Sequence, residues 1–520
     1  MGAAEGEKDM KKRWYRTLVW RRALIAVVLL AQLALLFRLT NSTAAASWVV
    51  YVGLKLVSVL VCLYIISKKE KDAYKLTWVF LILLVPLFGG VFYMLLKAPV
   101  VNTAQQRRLN QMLRDTRSLY RLPGAYLERA CATAPAHAPQ MRYLERYAGY
   151  PVYGGTQTQY LPSGEAMFQM LLAELEQAQH YIFLEFFIIE EGVMWNSVLD
   201  VLRRKAAQGV QVRLLYDDMG CFLKLPADYP RRLEQDGIQC MVFNPFRPFL
   251  SSIQNNRDHR KIAAIDGRVA FTGGVNLADE YINVRERFGH WKDAAIVLRG
   301  VGAWSLTLMF LEMWGALRGQ TEDLAIFYPW QAGPCPLADD GLVQPYADIP
   351  LDVENVGEHV YRQIIENAKS YVYIMTPYLI PDETLLSAIS VAAKSGVDVR
   401  IITPHRWDKK LVHMTTRSYY RQLLEAGVRI YEYSAGFLHA KTFVSDDATA
   451  TVGTTNLDYR SLYLHFECGV WMYGSRAVQQ VKEDFLQTLV TCQEMTRRDC
   501  RVGFWARLGS EILHVFAPLM

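Results

Sequence analysis

Residues 257–267 read RDHRKIAAIDG and residues 437–447 read FLHAKTFVSDD. In the first, His259 and Lys261 stand two apart, with Asp266 five further on; His439, Lys441 and Asp446 repeat that spacing in the second. The likeness continues downstream. Gly273 and Asn276 follow Asp266 at the same distances at which Gly453 and Asn456 follow Asp446. On an extended chain, residues two apart project from one face. Each His–Lys pair therefore shares a face, while Ile262 and Ala264 point the other way. Asp266-Gly267 has the chemistry of a hairpin turn, so RVAFTGG runs back beside the first strand and carries Asn276 toward Lys261. Ser445-Asp446-Asp447 permits an equivalent turn in the second copy. Two such strings with the same downstream glycine and asparagine mark a duplicated unit.

The surrounding chain repeats as well. A helical pattern over Ala166–Ala178 leads to an apolar run, Tyr181–Ile189, then helix-like Ser197–Gln208, Gly209 and strand-like VQVRLLYDD. The second copy has Val360–Ala368, Tyr371–Ile380, Leu385–Lys394, Gly396 and VDVRIITP. Strands alternating with helices define an α/β class. Gly333-Pro334-Cys335-Pro336 reads as the linker between halves. The expected organisation is an N-terminal helical region at 1–110, a first repeat at 111–340, a second at 341–500 and an amphipathic tail at 501–520.

At 520 residues the chain is too long for one ordinary domain. A net charge of +6 does not demand nucleic acid and permits a preference for anionic lipid. The eight cysteines contain no C-x-x-C pair, so a zinc cluster is not expected, and they read as reduced thiols. Apolar residues concentrate at the front, in Ala23–Phe37, Trp48–Ile66 and Leu76–Leu96, near the roughly 20 residues that span a bilayer core. A secretory leader is the rival reading of the first run, but two more apolar segments follow at once. The basic leader and the loop SKKEKDAYK belong on the cytoplasmic side. Lys97, Arg107, Arg108 and Arg114 after the third run are basic too, and its centre, Val85-Pro86-Leu87-Phe88-Gly89-Gly90, breaks a helix. A re-entrant hairpin with a cytoplasmic body is expected; a kinked full span is the alternative. At the C-terminus, Phe504, Trp505, Leu508, Ile512, Val515, Phe516 and Leu519 recur at helical spacing, which makes an amphipathic helix lying on lipid or on protein.

With its two H-x-K-x4-D motifs, the chain resembles the phospholipase D superfamily over about residues 150–490. The strings KDAYKLTWVFLILLVPLFGGVFYMLLK, FTGGVNLADEY and GTTNLDYRSLYLHFE are most similar to the membrane-bound bacterial cardiolipin synthases. The resemblance implies two phospholipase D-like α/β/α sandwich repeats packed as a pseudo-dimer behind an N-terminal helical membrane region. It implies a phosphatidyltransferase of the bacterial cell membrane that moves a phosphatidyl group from one phosphatidylglycerol to another, releasing glycerol. The implied partners are phosphatidylglycerol and anionic membrane lipid, with no cofactor, metal or nucleic acid; a homo-oligomer is left open. The alternatives are a hydrolase of lipid or nucleic acid phosphodiesters and a non-catalytic membrane scaffold, the latter disfavoured by two intact motifs.

A phosphodiester needs a nucleophile, charge neutralisation and a protonated leaving group. Two histidines can divide this work, one attacking phosphorus and the other serving as acid and then base. Like charges close together repel, so the pair should carry one proton between them. Lys261 and Lys441 would neutralise phosphoryl oxygens, and Asn276 and Asn456 would donate hydrogen bonds to them. By resemblance His259 is the nucleophile and His439 the acid/base; the residues themselves leave the opposite assignment open. Glu467 by family likeness, and Asp293 as its counterpart ahead of an apolar run, would fix the imidazole tautomers. Asp266 and Asp446 complete the motif and are expected to organise its turn. Glu185 and Tyr378 end equivalent strands and either line the pocket or pack, and Arg406–Lys410 is a charged loop that could meet lipid phosphate. His180, His359, His405 and His465 read as structural.

Overall fold

The computed structural model of the chain describes residues 45–68, 71–84, 103–121, 126–245, 255–319, 322–330 and 340–519, with gaps at 352–353 and 502, and a few isolated positions besides. Residues 102–245 and 256–511 form one compact unit, which holds both repeats. The first repeat contributes β1 (Thr156–Leu161), β2 (Tyr181–Phe186), β3 (Gln211–Asp217), β4 (Gln239–Phe243), β5 (Ile262–Ile265), β6 (Val269–Gly273), β7 (His290–Lys292) and β8 (Ala295–Gly300). The second contributes β9 (Leu342–Asp348), β10 (Tyr371–Met375), β11 (Asp398–Pro404), β12 (Arg429–Tyr433), β13 (Gly436–Leu438), β14 (Thr442–Ser445), β15 (Thr449–Gly453), β16 (Glu467–Tyr473) and β17 (Cys492–Glu494).

The duplication is visible in the strand order. One sheet runs β4-β3-β2-β5-β6-β8-β1, and the other runs β12-β11-β10-β14-β15-β16-β9 with β17 added outside β12. In each, three parallel strands (β2, β3 and β4; β10, β11 and β12) continue into antiparallel partners. The parallel strands are joined by helices, Val193–Ala207 and Glu383–Lys394 among them. Both of these helices end ahead of a glycine in the left-handed region, Gly209 at φ +90° and Gly396 at φ +94°, which closes a helix without a Cβ clash. The α/β class and the two-repeat architecture expected from the sequence are what the chain adopts.

Each repeat also reaches into the other. The helix Val301–Arg318, buried along nearly its whole length, packs on β5, β6 and β8 and touches β9 of the other half; the helix Arg476–Leu489 packs on β14 and β15 and touches β1. β7 pairs in parallel with β13, and Asp258 bridges Phe466. Backbone bonds from His259 N to Phe466 O (2.9 Å) and from His439 N to Lys292 O (2.6 Å) fix each histidine against the opposite repeat.

The motif aspartates explain how each hairpin is set. Asp266 and Gly267 lie at φ +51° and +62°, and Asp446 and Asp447 at +54° and +56°. Two successive positive φ values, closed by Arg268 N to Ile265 O and Ala448 N to Ser445 O at 3.0 Å each, make a type I′ turn. The Asp266 carboxylate accepts from the backbone N–H of Gln179, His180 and Tyr181, each at 2.8 Å. Asp446 accepts likewise from Lys369, Ser370 and Tyr371 at 2.7–2.9 Å. Each aspartate thus ties its hairpin to the start of the neighbouring parallel strand, at the end of β5 or β14 opposite its histidine.

In the N-terminal region, described by itself, the helices Ala45–Ser67 and Asp72–Leu84 pack through Val61, Ile65, Trp78 and Ile82 and expose Trp48, Leu56, Leu60, Leu63, Leu76 and Leu83. Val515 and Phe516 meet Thr77 and Phe80 there. No helix of the described residues is long and apolar enough to cross a membrane. The basic leader, most of the first apolar run, the Pro86 break and most of the 333–336 linker lie outside the described residues. The tail forms the expected helix, Phe504–Phe516, with Phe504, Trp505, Leu508 and Ile512 exposed.

Replacing Asp266 by Ala leaves three backbone donors without their charged acceptor and puts a Cβ-bearing residue, with no local hydrogen bond, at positive φ. The expected cost is about 2–3 kcal/mol of stability, read as a lower midpoint in thermal or urea unfolding. Asp266→Asn, which tolerates the turn and keeps one acceptor oxygen, should lose about half as much; equal losses would refute this account.

Candidate active site

The two H-x-K segments converge where the repeats meet, and each histidine is oriented by a carboxylate from the opposite half. His259 Nδ1 lies 2.9 and 3.0 Å from the Glu467 carboxylate oxygens. His439 Nδ1 lies 2.7 Å from Asp293 Oδ2. Each Nδ1 faces a carboxyl group, and Nε2 is the nitrogen that this contact leaves free. The partners follow Phe466 and Lys292, the residues whose carbonyls hold the two histidine N–H groups.

Both carboxylates are themselves held. Thr454 Oγ1 donates to Glu467. Asp293 accepts from Ala294 N at 2.8 Å and Trp291 Nε1 at 3.3 Å. The repeats diverge here. Gly274 stands in the first half where Thr454 stands in the second, and a Cβ at Gly274 would sit 1.9 Å from Asp293 Oδ1. The paired motif glycines have a packing reason as well. A Cβ at Gly273 would meet Ala294 O at 2.4 Å, and one at Gly453 would meet Cys468 O at 2.5 Å.

Lys261 Nζ donates to its own motif's His259 carbonyl at 2.5 Å, and Lys441 Nζ lies 2.9 Å from His439 Nδ1. All four side chains are buried. Arg260, between His259 and Lys261, turns instead to Glu185 (2.5 Å) and Asp258 (3.2 Å), so Glu185 stands behind the motif as an ion-pair partner. Asn276 is engaged structurally, accepting from Ile188 N at 2.9 Å and donating to Tyr281 Oη at 2.7 Å. Asn456 donates to Asp458, and its amide oxygen is buried without a partner among the described residues.

Burial sets the protonation states. It pushes His259 well below the usual imidazole range, helped by Lys261, and pushes His439 down to about 4, helped by Lys441. It lowers Lys261 to about 8 and Lys441 to about 7. Burial would raise Asp293, but His439 and Lys441 outweigh it and hold the carboxyl below its ordinary range. Glu467 is pushed well above, burial exceeding the pull of Lys261. The charge of each histidine and lysine bears on others in the set across the repeats, so the four form one buried, electrostatically linked group.

His465, read as structural from sequence, lies beside the site. Its ring centroid is 5.5 Å from that of His259, and neither ring nitrogen has a hydrogen-bond partner among the described residues. With His259 and Glu467 it forms a group whose ligand atoms lie within 4.8 Å of one another. A cation there would compete for the carboxylate that orients His259. Linear spacing hid this grouping because His259 is far from the other two in sequence. Thr454, Tyr281 and Trp291 also carry no motif spacing that marks them. Tyr281 and Trp291 pack their rings 5.7 and 5.2 Å from His439, and only the G-T-T string hinted at Thr454.

The fold and this paired site are those of the phospholipase D class. A family model described as "Cardiolipin synthase, PLD-like domain" matches residues 171–288 and 361–489, and one described as "Phospholipase_D-nuclease N-terminal" matches 56–97. The chain is 35% identical over 473 residues to a cardiolipin synthase of Geobacillus kaustophilus, covering 89% of this chain and 92% of the relative. It is 44% identical over 468 residues to an uncharacterized protein of Streptococcus mutans, covering 88% and 99%. A phosphatidylserine synthase of Haemophilus influenzae shares the fold at a TM-score of 0.52 and 15% identity, over 71% of this chain and 95% of that one. The chain belongs to the phospholipase D-like cardiolipin synthase family.

Sulfate keeps its charge between pH 6 and 9, so its binding reports the lysines. As pH rises through about 7 and then about 8, Lys441 and Lys261 lose their protons and sulfate affinity should fall by about tenfold or more, measured by titration calorimetry. Lys441→Arg, whose guanidinium stays charged, should blunt the fall; a flat wild-type profile would refute the assignment.

Proposed function

We propose that the chain is a cardiolipin synthase that transfers a phosphatidyl group from one phosphatidylglycerol to a second through a phosphohistidine. The observation that carries this reading is the crossed arrangement of the site, in which two imidazoles with fixed tautomers sit among two lysines. His259 Nε2 attacks phosphorus while the bond to the glycerol oxygen breaks. His439, protonated once the incoming phosphate supplies negative charge, gives its proton to that oxygen, and glycerol leaves. The headgroup hydroxyl of the second lipid then gives its proton to His439 Nε2 as its oxygen bonds phosphorus and the P–N bond breaks. Lys261 and Lys441 balance the phosphoryl oxygens throughout, and Asn456 donates a hydrogen bond to the same oxygens. Asp266 and Asp446 act through the fold.

A buried site of this kind suits a substrate whose only charge near the chemistry is one phosphate. The exposed apolar residues of the helices Ala45–Ser67 and Asp72–Leu84 and of the C-terminal helix support a location at the bacterial cell membrane, where both lipids reside. The sequence pattern of Lys and Arg supports a body on the cytoplasmic face.

The test is reconstitution with phosphatidylglycerol alone. Cardiolipin and glycerol in equal amounts are expected, and His259→Ala and His439→Ala should each lower the rate by about a thousandfold or more. Rapid quenching should leave a phosphatidyl mass on the peptide carrying His259; the mass on His439 would reverse the roles. Phosphatidic acid as the main product would mean a hydrolase, and turnover unaffected by either substitution would end the reading.

A further inference from the structure

The reaction proposed above uses the same lipid as donor and acceptor in a nearly two-fold site, so something must distinguish the two. The halves differ most plainly at one place. The bridges Ile189–Leu277 and Leu379–Leu457 are equivalent, which puts Tyr378 in the second half where Ile188 stands in the first. At the end of β3, Asp217 is consumed by the backbone N–H of Met219 (2.8 Å) and Asp258 (3.0 Å) and by Arg257, while β11 ends at that position in Pro404. Beyond β11, the chain instead presents Asp408 and Lys409.

These three side chains form a locked group. Tyr378 Oη donates to Asp408 Oδ2 at 2.6 Å, and Lys409 Nζ donates to both oxygens at 3.0 Å. The ammonium also lies 5.0 Å from the centre of the Tyr378 ring. The group flanks the chemistry. Tyr378 packs against the core that holds Tyr281, Trp291 and Phe437, whose rings lie 5.7, 5.2 and 6.0 Å from that of His439. It also faces outward, since the Lys409 side chain is 63% exposed and that of Asp408 18%. Next to it Trp407, Leu411 and Met414 are 50%, 59% and 42% exposed. Their spacing sets Leu411 and Met414 on one helical face, among the cations Arg406, Lys409 and Lys410. Exposed apolar side chains among cations are the chemistry of a contact with anionic lipid.

We propose that Tyr378, Asp408 and Lys409 seat the headgroup of the acceptor lipid, so that a polyol hydroxyl rather than water receives the phosphatidyl group. This rests on the transfer reading above. The Asp408 carboxylate accepts a hydrogen bond from one hydroxyl of the glycerol headgroup, and Tyr378 Oη holds the carboxylate in place. Lys409 balances the acceptor's own phosphate. The remaining hydroxyl is left facing His439, which takes its proton as the new P–O bond forms and the P–N bond to His259 breaks. The seat is occupied from the bilayer side, where Trp407, Leu411 and Met414 would rest.

The experiment measures the ratio of cardiolipin to phosphatidic acid made by the full chain in phosphatidylglycerol vesicles. Asp408→Asn should lower that ratio at least tenfold with glycerol release still measurable, because water then competes for the intermediate. Lys409→Ala, at an exposed position that should not upset folding, should lower it about threefold and raise the KM for lipid. Asp408→Glu should restore part of the ratio. An unchanged ratio in Asp408→Asn and Lys409→Ala, or a parallel fall of both products, overturns the seat while leaving the transfer reading intact. A wild-type chain that makes no cardiolipin overturns both.

Discussion

Two buried hydrogen bonds, His259 to Glu467 and His439 to Asp293, cross between the repeats, and the rest of the site depends on that crossing. Neither half holds a complete site. Each supplies a histidine, a lysine and the carboxylate that its partner's histidine needs. The crossing is built into the backbone, since Phe466 O and Lys292 O receive the N–H groups of His259 and His439 immediately before the two carboxylates. A shift of one repeat against the other would therefore break the peptide contacts and the tautomer control together. The exchanged helices, Val301–Arg318 and Arg476–Leu489, and the β7–β13 pair resist such a shift.

Burial then gives the crossed pairs their chemical character. A buried group of two lysines and two imidazoles disfavours positive charge, which is why both histidines and both lysines are pushed down together. In the proposed transfer, a phosphodiester brings negative charge to this group. Its arrival favours protonated lysines and one protonated imidazole, so the substrate completes the electrostatics that act on it. The two carboxylates are not equivalent in this. Asp293 is held below its ordinary range beside His439, which suits the acid/base role proposed for that histidine. Glu467 is instead raised by burial, which exceeds the pull of Lys261.

Much of this could be read from the chain because the information was local and duplicated. The two-residue step from histidine to lysine, the Asp-Gly turn and the helix–glycine–strand passages at Gly209 and Gly396 are short-range features with definite geometry. Repetition then turned each weak signal into a strong one. What stayed hidden was long-range. Nothing in the spacing says that Glu467 serves His259 rather than the nearer His439, because that depends on how the repeats face each other. His465 looked structural because a lone histidine usually is, and its position beside His259 appears only on folding. The hydrogen bonds of Asn276 to Ile188 and Tyr281 are likewise set by packing around His439 and have no sequence signal. The apolar runs were legible as composition, while their arrangement against a bilayer depends on segments outside the described residues.

Duplication also explains where function can be specialised. The strands and the turn aspartates are shared because any change there would disturb a sheet. The positions that pack around the site's side chains have no such constraint. Gly274 makes room for Asp293 in one half, while Thr454 hydrogen-bonds Glu467 in the other. Ile188 is apolar where Tyr378 is tied to Asp408 and Lys409. A symmetric scaffold thus brings two histidines together, and small departures from symmetry, confined to residues that touch the pocket rather than the sheets, are what can give two chemically identical lipids different fates.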